Sequence, residues 1–172
     1  MTEIKKVLRS WLPTILVALA LSLFVRNYIA EARWIPSESM LPTLEVGDQL
    51  FIDKVYFKFE GIQRGDILVF EAPAELDKDD DLIKRVIGLP GEELSIKDGI
   101  VYINGNPIKE QYISEKPDRD FKPFVIPEGQ IFVMGDNRNN SYDSRYWGAL
   151  PIKNVIGKAI FRHYPLGHMK LF

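Results

Sequence analysis

The amino-acid sequence predicts a mainly β protein that begins with one N-terminal transmembrane helix. Three features of its 172 residues support this prediction: one long apolar run near the N-terminus, short apolar runs separated by turn residues from residue 31 onward, and 12 Gly with 11 Pro. So many Gly and Pro favour turns and short elements over a helical bundle. We therefore expect a tail and membrane anchor over residues 1–30, followed by an all-β domain of barrel or sandwich type over residues 31–172.

The apolar run covers residues 11–25 and contains no charged side chain and only two polar ones, Thr14 and Ser22. A helix that spans a bilayer usually needs about 20 residues. Residues 27–30 can complete the span if Arg26 extends its guanidinium toward the lipid headgroups. The sequence therefore predicts a membrane anchor that crosses the bilayer once.

The residues around this run predict its orientation and leave two alternatives open. Lys5, Lys6 and Arg9 precede the run, so the positive-inside rule predicts a cytoplasmic N-terminus and an extracytoplasmic domain. A cleaved secretory signal is a second interpretation, because Ala30-Glu31-Ala32 resembles an A-x-A cleavage site. A buried core helix is a third. The first two interpretations both export the domain.

Short runs rich in β-branched and aromatic residues predict strands in the rest of the chain. These runs cover residues 49–57, 66–71, 82–87, 94–103, 131–134 and 155–164. Asp98-Gly99 and Asn104-Gly105 are dipeptides typical of tight hairpin turns. Residues 76–81 and 114–127 are polar or contain proline, so we expect exposed loops there.

The composition excludes several classes of function. A net charge of −2 and a pI near 5.8 argue against general nucleic-acid binding, which needs a basic face. The absence of cysteine removes disulfides, thiol catalysis and cysteine–zinc sites. The histidines are His163 and His168, so a Ser-His-Asp triad or a multi-histidine metal site would have to form from the C-terminal tail. Nothing in the sequence indicates a metal, an organic cofactor or an oligomeric state.

Two segments combine a serine-rich turn with a lysine in an apolar strand. Ser37 and Ser39 lie between prolines in residues 35–44, where a stiff linker is the ordinary interpretation. Lys84 lies inside the apolar run 82–87, where an outward-facing ammonium is the ordinary interpretation. If that face is covered, desolvation lowers the pKa of the lysine, and its neutral amine can activate a serine hydroxyl.

A third segment, residues 135–148, is dense in hydrogen-bonding side chains and follows the apolar run 131–134. A long polar loop held by Asp–Arg pairs is the simplest interpretation. A calcium loop of the EF-hand kind does not fit, because the closing glutamate is absent.

Taken in order, the motifs SESMLPTL, GDILVF, IKRVIGLPGE and GDNRNNSYDSR resemble those of type I signal peptidases, in particular the small single-anchor forms of cyanobacteria, Gram-positive bacteria and thylakoids. The resemblance implies a signal-peptidase/LexA-like all-β catalytic domain behind one anchor. It also implies a serine endopeptidase with a Ser-Lys dyad, which removes signal peptides from exported preproteins after small residues at A-x-A sites.

The resemblance assigns roles to the residues at matching positions. It makes Ser39 the nucleophile and Lys84 the general base. Ser37 matches an oxyanion-hole hydroxyl, and Ser141 matches a hydroxyl that orients the lysine amine. The supporting ion pair matches Asp143 and Arg145, which Arg85 is expected to join.

Four apolar residues adjoin these positions and are candidates for the walls of the substrate pocket, with core packing as their alternative role: Met40, Leu44, Leu82 and Ile83. The implied partners are signal-peptide-bearing preproteins and the lipid bilayer, without nucleic acid. The implied location is the plasma (inner) membrane, or the thylakoid membrane in a photosynthetic source.

Two other functions are compatible with the same sequence. One is a membrane-tethered β-domain that binds a partner without catalysis, and the other is a LexA-like Ser-Lys autoprotease. The non-catalytic domain predicts that Ser39 and Lys84 lie far apart, whereas the enzyme predicts that their side chains lie within hydrogen-bond reach.

Overall fold

The computed structural model describes residues 2–73 and 81–172, with the backbone alone at residues 2–8 and 27. Helix α1 covers Thr2–Tyr28, and its apolar part, Arg9–Arg26, has no residue buried against the rest of the chain. That span is long and apolar enough to cross a membrane. Its full exposure is the pattern of a membrane span or a signal sequence, and it makes the core-helix interpretation wrong.

The remaining elements are short. In chain order they are β1 (Ala30–Trp34), β2 (Gln49–Asp53), α2 (Phe57–Glu60), β3 (Ile67–Glu71), β4 (Asp81–Gly88), β5 (Glu93–Lys97), β6 (Ile100–Ile103), β7 (Asn106–Pro107), β8 (Phe121–Val125), β9 (Gln130–Met134), α3 (Ser144–Trp147), β10 (Leu150–Pro151), β11 (Val155–Tyr164) and β12 (Lys170–Leu171). The mainly β fold class with an N-terminal helix is thereby confirmed.

Within the described residues, the strands form two antiparallel sheets. The larger has the order β1-β2-β11-β3-β4-β9-β10, with β12 beside β11, and the smaller has the order β7-β6-β5-β8. Tight turns at Asp98-Gly99 and Asn104-Gly105 join β5 to β6 and β6 to β7, and all four residues have positive φ. Both hairpin predictions are confirmed, because this backbone geometry is what Asp-Gly and Asn-Gly favour.

Strand β4 occupies the centre of the core, and this placement prepares the functional site. Its apolar side chains enter three different clusters: Ile83 packs with the β2 and β3 side, Val86 with the β3 and β9 side, and Ile87 with the smaller sheet. Both faces of β4 are therefore covered. Lys84 and Arg85 lie in this strand and are 3% and 8% exposed, so the outward-facing interpretation of Lys84 is wrong.

Two of the predicted boundaries differ from the structure. The strand expected over residues 49–57 ends at Asp53, because the Asp53 carboxylate accepts hydrogen bonds from the backbone N–H groups of residues 55–57 and turns the chain into α2. The loop expected over residues 114–127 contains β8, an edge strand whose Pro123 is tolerated because one side of it has no ladder to complete.

Two further predictions concern the ends of β4 and α1. In the loop expected over residues 76–81, residues 76–80 lie outside the described part of the chain, and Asp81 begins β4. The Ala30-Glu31-Ala32 segment lies in β1 and pairs with residues 51–53 of β2. The possible cleavage site is therefore part of a sheet.

Candidate active site

Ser39 and Lys84 are 45 residues apart in the sequence and meet inside the structure. The Lys84 Nζ atom lies 2.7 Å from the Ser39 Oγ atom. Ser39 belongs to a 3-10 turn, Glu38–Met40, between β1 and β2, and Lys84 belongs to the central strand β4. A base within this distance can take a proton from the hydroxyl directly.

The surroundings of Lys84 favour its neutral form. Burial lowers the pKa of the Lys84 ammonium from 10.5 to about 8, and the charges of Asp143 and Asp136 partly oppose this effect. Besides Ser39, the amine bonds to the carbonyl oxygen of Ile83 at 2.8 Å. A lysine with this pKa supplies a neutral amine at mildly alkaline pH, and this arrangement can activate a nucleophile.

The turn that carries Ser39 is held by the core below it and by the loop after β9. Met40 and Leu44 are fully buried in the core. The backbone N–H of Asn137 donates to the Ser39 carbonyl at 3.1 Å, and its side-chain amide donates to the Glu38 carbonyl at 3.1 Å. These contacts fix the position of the serine backbone.

Gly135 allows this close approach. A Cβ atom at this position would lie 2.4 Å from the Ser39 carbonyl oxygen and 2.3 Å from the Ser141 hydroxyl oxygen. Such distances are far shorter than van der Waals contact, so any side chain here would push the loop away from the turn. Gly135 was not among the predicted site residues, and the signal for it in the sequence is its position as the first residue of the motif GDNRNNSYDSR.

Asp143 is the hydrogen-bonding centre of the loop. Its carboxylate accepts from the Ser141 hydroxyl at 2.8 Å, from the Gly135 N–H at 2.9 Å, and from two nitrogens of Arg145 at 2.8 Å each. Asp143 and Arg145 thus lie together as the sequence suggested. The Ser141 hydroxyl donates to Asp143, while the Lys84 amine bonds to Ser39 and Ile83. No hydrogen bond joins Ser141 to the Lys84 amine in the described residues, so the orienting contact expected for Ser141 is not made in this structure.

Arg85 has a different partner from the expected one. Its guanidinium donates to Asp136 at 2.8 and 2.6 Å and does not join the pair of Asp143 and Arg145. The reason is strand alternation: neighbouring side chains of β4 point to opposite faces, so Arg85 points away from the direction in which Lys84 reaches Ser39. Asp136 also accepts from the Thr43 hydroxyl at 2.5 Å. Asp136 was not among the predicted site residues. Its position in the motif GDNRNNSYDSR is the feature of the sequence that could have identified it.

A cleft of about 370 Å³ opens beside the reactive pair. Ser37, Leu82 and Ile83 line it together with Lys84. The Ser37 hydroxyl lies 3.3 Å from the Ser39 hydroxyl. Among the four candidates for the pocket walls, Leu82 and Ile83 thus line the cleft. Met40 and Leu44 are not part of its lining, because their side chains fill the core below the Ser39 turn.

A buried serine–lysine pair on a mainly β scaffold with an N-terminal apolar helix defines a class of serine peptidases. Comparison with known families matches residues 8–164 to "Signal peptidase, peptidase S26". The chain belongs to this family. The resemblance to type I signal peptidases is confirmed, and so is the assignment as an enzyme.

Three similar proteins illustrate the relationship. A probable signal peptidase I-1 of Synechocystis is 50% identical over 159 residues, which are 90% of this chain and 81% of the relative. A probable thylakoidal processing peptidase 2 of Arabidopsis thaliana is 42% identical over 86% of this chain and 42% of its own length. The crystal structure of a signal peptidase I from Enterococcus faecalis superposes with a TM-score of 0.52 at 35% identity, covering 57% of this chain and 96% of that one.

Proposed function

We propose that this chain is a membrane-anchored serine endopeptidase that removes signal peptides from exported preproteins after small residues at A-x-A sites. In this proposal Ser39 is the nucleophile and Lys84 is the general base. The observation that carries it is the 2.7 Å distance between Lys84 Nζ and Ser39 Oγ, both in buried side chains. A tethered binding domain without catalysis has no need of such a pair.

The reaction follows from this geometry. The neutral Lys84 amine takes the proton of the Ser39 hydroxyl while Oγ attacks the carbonyl carbon of the scissile bond. The resulting Lys84 ammonium gives its proton to the nitrogen of the leaving amine, which leaves an acyl group on Ser39. A water molecule, deprotonated by the neutral lysine, then attacks the acyl carbon, and the proton returns to Ser39 Oγ as the ester bond breaks.

The developing oxyanion needs donors close to Ser39 Oγ. The Ser37 hydroxyl, 3.3 Å from that atom, is within reach of a carbonyl oxygen attached to the attacked carbon. The backbone N–H of Ser39 is the second donor in this scheme. The contacts of Asn137 with the Glu38 and Ser39 carbonyls keep this turn in position, so the donors need little reorganisation during the reaction.

The edge of β4 supports binding of an extended peptide. Strand β4 pairs with β9 only from Arg85 onward. Residues 81–84 pair with β3 on one side, and their other side has no partner strand among the described residues. A substrate strand can therefore add beside residues 82–84 by backbone hydrogen bonds. Leu82 and Ile83 would bound the space for its side chains. The proposed preference for small residues requires that these walls exclude larger side chains by clash.

Membrane anchoring by α1 is part of the same proposal. The exposed apolar span Arg9–Arg26 supports an anchor, and the basic residues before it support a cytoplasmic N-terminus with the catalytic domain outside the cytoplasm. The plasma membrane is the proposed location, with the thylakoid membrane as the second location. A LexA-like autoprotease is disfavoured, since a protein of that type would lack the apolar span that α1 provides.

Cleavage of a preprotein with an Ala-x-Ala site, in detergent, tests this function. We expect the parent chain to cut after the second alanine, and Ser39→Ala and Lys84→Ala to lose activity while they remain folded. Ser114→Ala and Lys97→Ala are matched controls, because these side chains are exposed and lie outside the four motifs. Full activity of Lys84→Ala would refute the base assignment and direct attention to His163. A folded parent that cuts nothing would favour the tethered binding domain.

A further inference from the structure

The segment between β7 and β8 reaches from the smaller sheet to the active-site loop. It carries Glu110 and Tyr112, which belong to none of the four family-like motifs. Tyr112 packs against the core cluster of the smaller sheet. Both side chains contact arginines whose other bonds lead to the loop that begins at Gly135. Their contacts show how the smaller sheet is connected to the reaction site.

Glu110 is the carboxylate partner of a fully buried arginine. Its two oxygens accept from the Arg138 guanidinium at 2.6 and 2.8 Å, and the two side chains are 4% and 0% exposed. A charged guanidinium without a partner in such a place would be strongly unfavourable. Arg138 also donates to the Gly135 carbonyl at 3.1 Å, and its own carbonyl accepts from Arg145 at 2.7 Å. Glu110 therefore holds Arg138 in place, and Arg138 in turn bonds to two other residues of the loop, Gly135 and Arg145.

Tyr112 links this pair to the strand that carries the base. Its hydroxyl donates to Glu110 at 2.9 Å, and its ring centre lies 4.0 Å from the Arg85 guanidinium and 5.9 Å from that of Arg138. Contact between a guanidinium and the face of an aromatic ring is attractive. Arg85 directly follows Lys84 in β4 and bonds to Asp136. Glu110 and Tyr112 therefore constrain two neighbours of Lys84. One is Arg85, the next residue in the strand, and the other is the loop that begins at Gly135.

The charges of this network balance. Three cations face three anions: Arg85, Arg138 and Arg145 against Asp136, Asp143 and Glu110. The groups that act on Lys84 by charge are Asp143 and Asp136, and both favour its ammonium form. Glu110 pairs with the positive charge of Arg138. This charge therefore does not offset the effect of Asp136 and Asp143 on Lys84.

We infer that Glu110 is a positioning residue of the peptidase reaction, which acts through Arg138 on the loop and through Tyr112 on Arg85, and so sets the place and the charge environment of Lys84. Glu110 does not touch the reacting atoms. This inference rests on the proposed function, because it needs Lys84 as the base.

The test compares the pH dependence of kcat for the full chain in detergent with that of Glu110→Gln. Glutamine keeps the shape of the side chain and removes its charge, so the positive charge of Arg138 remains unbalanced in the loop that carries Asp136 and Asp143, the two groups that act on Lys84 by charge. We expect kcat to fall about tenfold with little change in KM. We also expect the acid limb of the profile to move to lower pH by about half a unit, because an added positive potential favours the neutral amine.

Two further variants isolate the electrostatic effect. The double variant Glu110→Gln with Arg138→Gln restores the charge balance, and we expect its acid limb to return to the parent position even if its kcat stays low. Glu93→Gln is the matched control, an exposed carboxylate of the smaller sheet, and should leave the profile unchanged. Near-ultraviolet circular dichroism gives the folded fraction of each variant.

An acid limb that stays in place in Glu110→Gln overturns the inference, whether or not activity falls, because a merely structural role would lower the folded fraction alone. Ser39→Ala is measured in the same assay. If it abolishes parent activity while the limb of Glu110→Gln stays in place, the positioning role fails and the proposed function stands. If Ser39→Ala keeps the activity, the proposed function is wrong, and the inference about Glu110 is wrong with it.

Discussion

Asp136 and Arg85 form a two-pronged ion pair, with Oδ1 2.8 Å from Nε and Oδ2 2.6 Å from Nη2. Lys84, the preceding residue of the strand, bonds to Ser39. Adjacent side chains of one strand thus have two different partners: Lys84 bonds to Ser39 on one face, and Arg85 bonds to the loop after β9 on the other. Because the same loop bonds to the Ser39 backbone, a displacement of this ion pair would disturb both members of the reactive pair.

We expect Asp136→Asn to destabilise the folded chain by about 3 kcal/mol, because it leaves the buried Arg85 without its counter-charge. Chemical denaturation of the full chain in detergent measures the free energy of unfolding. Asp118→Asn, a change at an exposed aspartate, is the control. Equal stabilities of the two variants would contradict a structural role for the ion pair.

Peptidase activity should rise with pH through about pH 8, because catalysis needs the neutral form of Lys84 and burial lowers the pKa of this lysine to about 8. Two units below that value, at about pH 6, roughly one lysine in a hundred is neutral, so we expect kcat near one-hundredth of its plateau. Initial rates at saturating substrate give the profile, and circular dichroism checks that the protein stays folded at pH 6. A flat profile from pH 5 to 9 would rule out this base.

The lowered pKa of Lys84 should also make the free energy of unfolding of the parent, compared with that of Lys84→Met, depend on pH. Below about pH 8 the lysine is charged in both states, and its burial disfavours the folded one. Between about pH 8 and 10.5 the unfolded chain binds the extra proton, so rising pH stabilises the parent relative to Lys84→Met by up to about 3 kcal/mol. Denaturation at several pH values measures this difference, with Lys97→Met as the baseline for an exposed lysine. A difference independent of pH would show that Lys84 keeps its ordinary pKa.

Gly135→Ala should lower kcat about 100-fold, because the new methyl group would collide with the Ser39 carbonyl and the Ser141 hydroxyl and push the loop outward. Gly167→Ala is the matched control: its added methyl group has no neighbour within 4 Å. Thermal denaturation distinguishes a displaced loop from an unfolded protein. Parent-like activity of Gly135→Ala would mean that the loop can move away without cost to catalysis.

Features that depend on neighbouring residues could be predicted from the sequence. The Asp98-Gly99 and Asn104-Gly105 hairpins follow from the ease with which these residues adopt positive φ, and the apolar helix follows from its length and composition. Prediction failed where a side chain interrupted the local pattern: the Asp53 carboxylate ends β2, and β8 is a strand despite Pro123 because it lies at a sheet edge.

The sequence by itself determined the N-terminal apolar helix, most of the strands and the ordered motifs that contain Ser39 and Lys84, since hydrophobic period, turn chemistry and motif order are local properties. The tertiary structure alone decided that Lys84 is covered on both faces, that Arg85 pairs with Asp136, and that Glu110 supports Arg138. The physical reason is distance along the chain: Lys84 and Ser39 are 45 residues apart, and Arg138 and Glu110 are 28 apart. Burial and ion pairing depend on which segments the sheets bring together, and no local spacing specifies that.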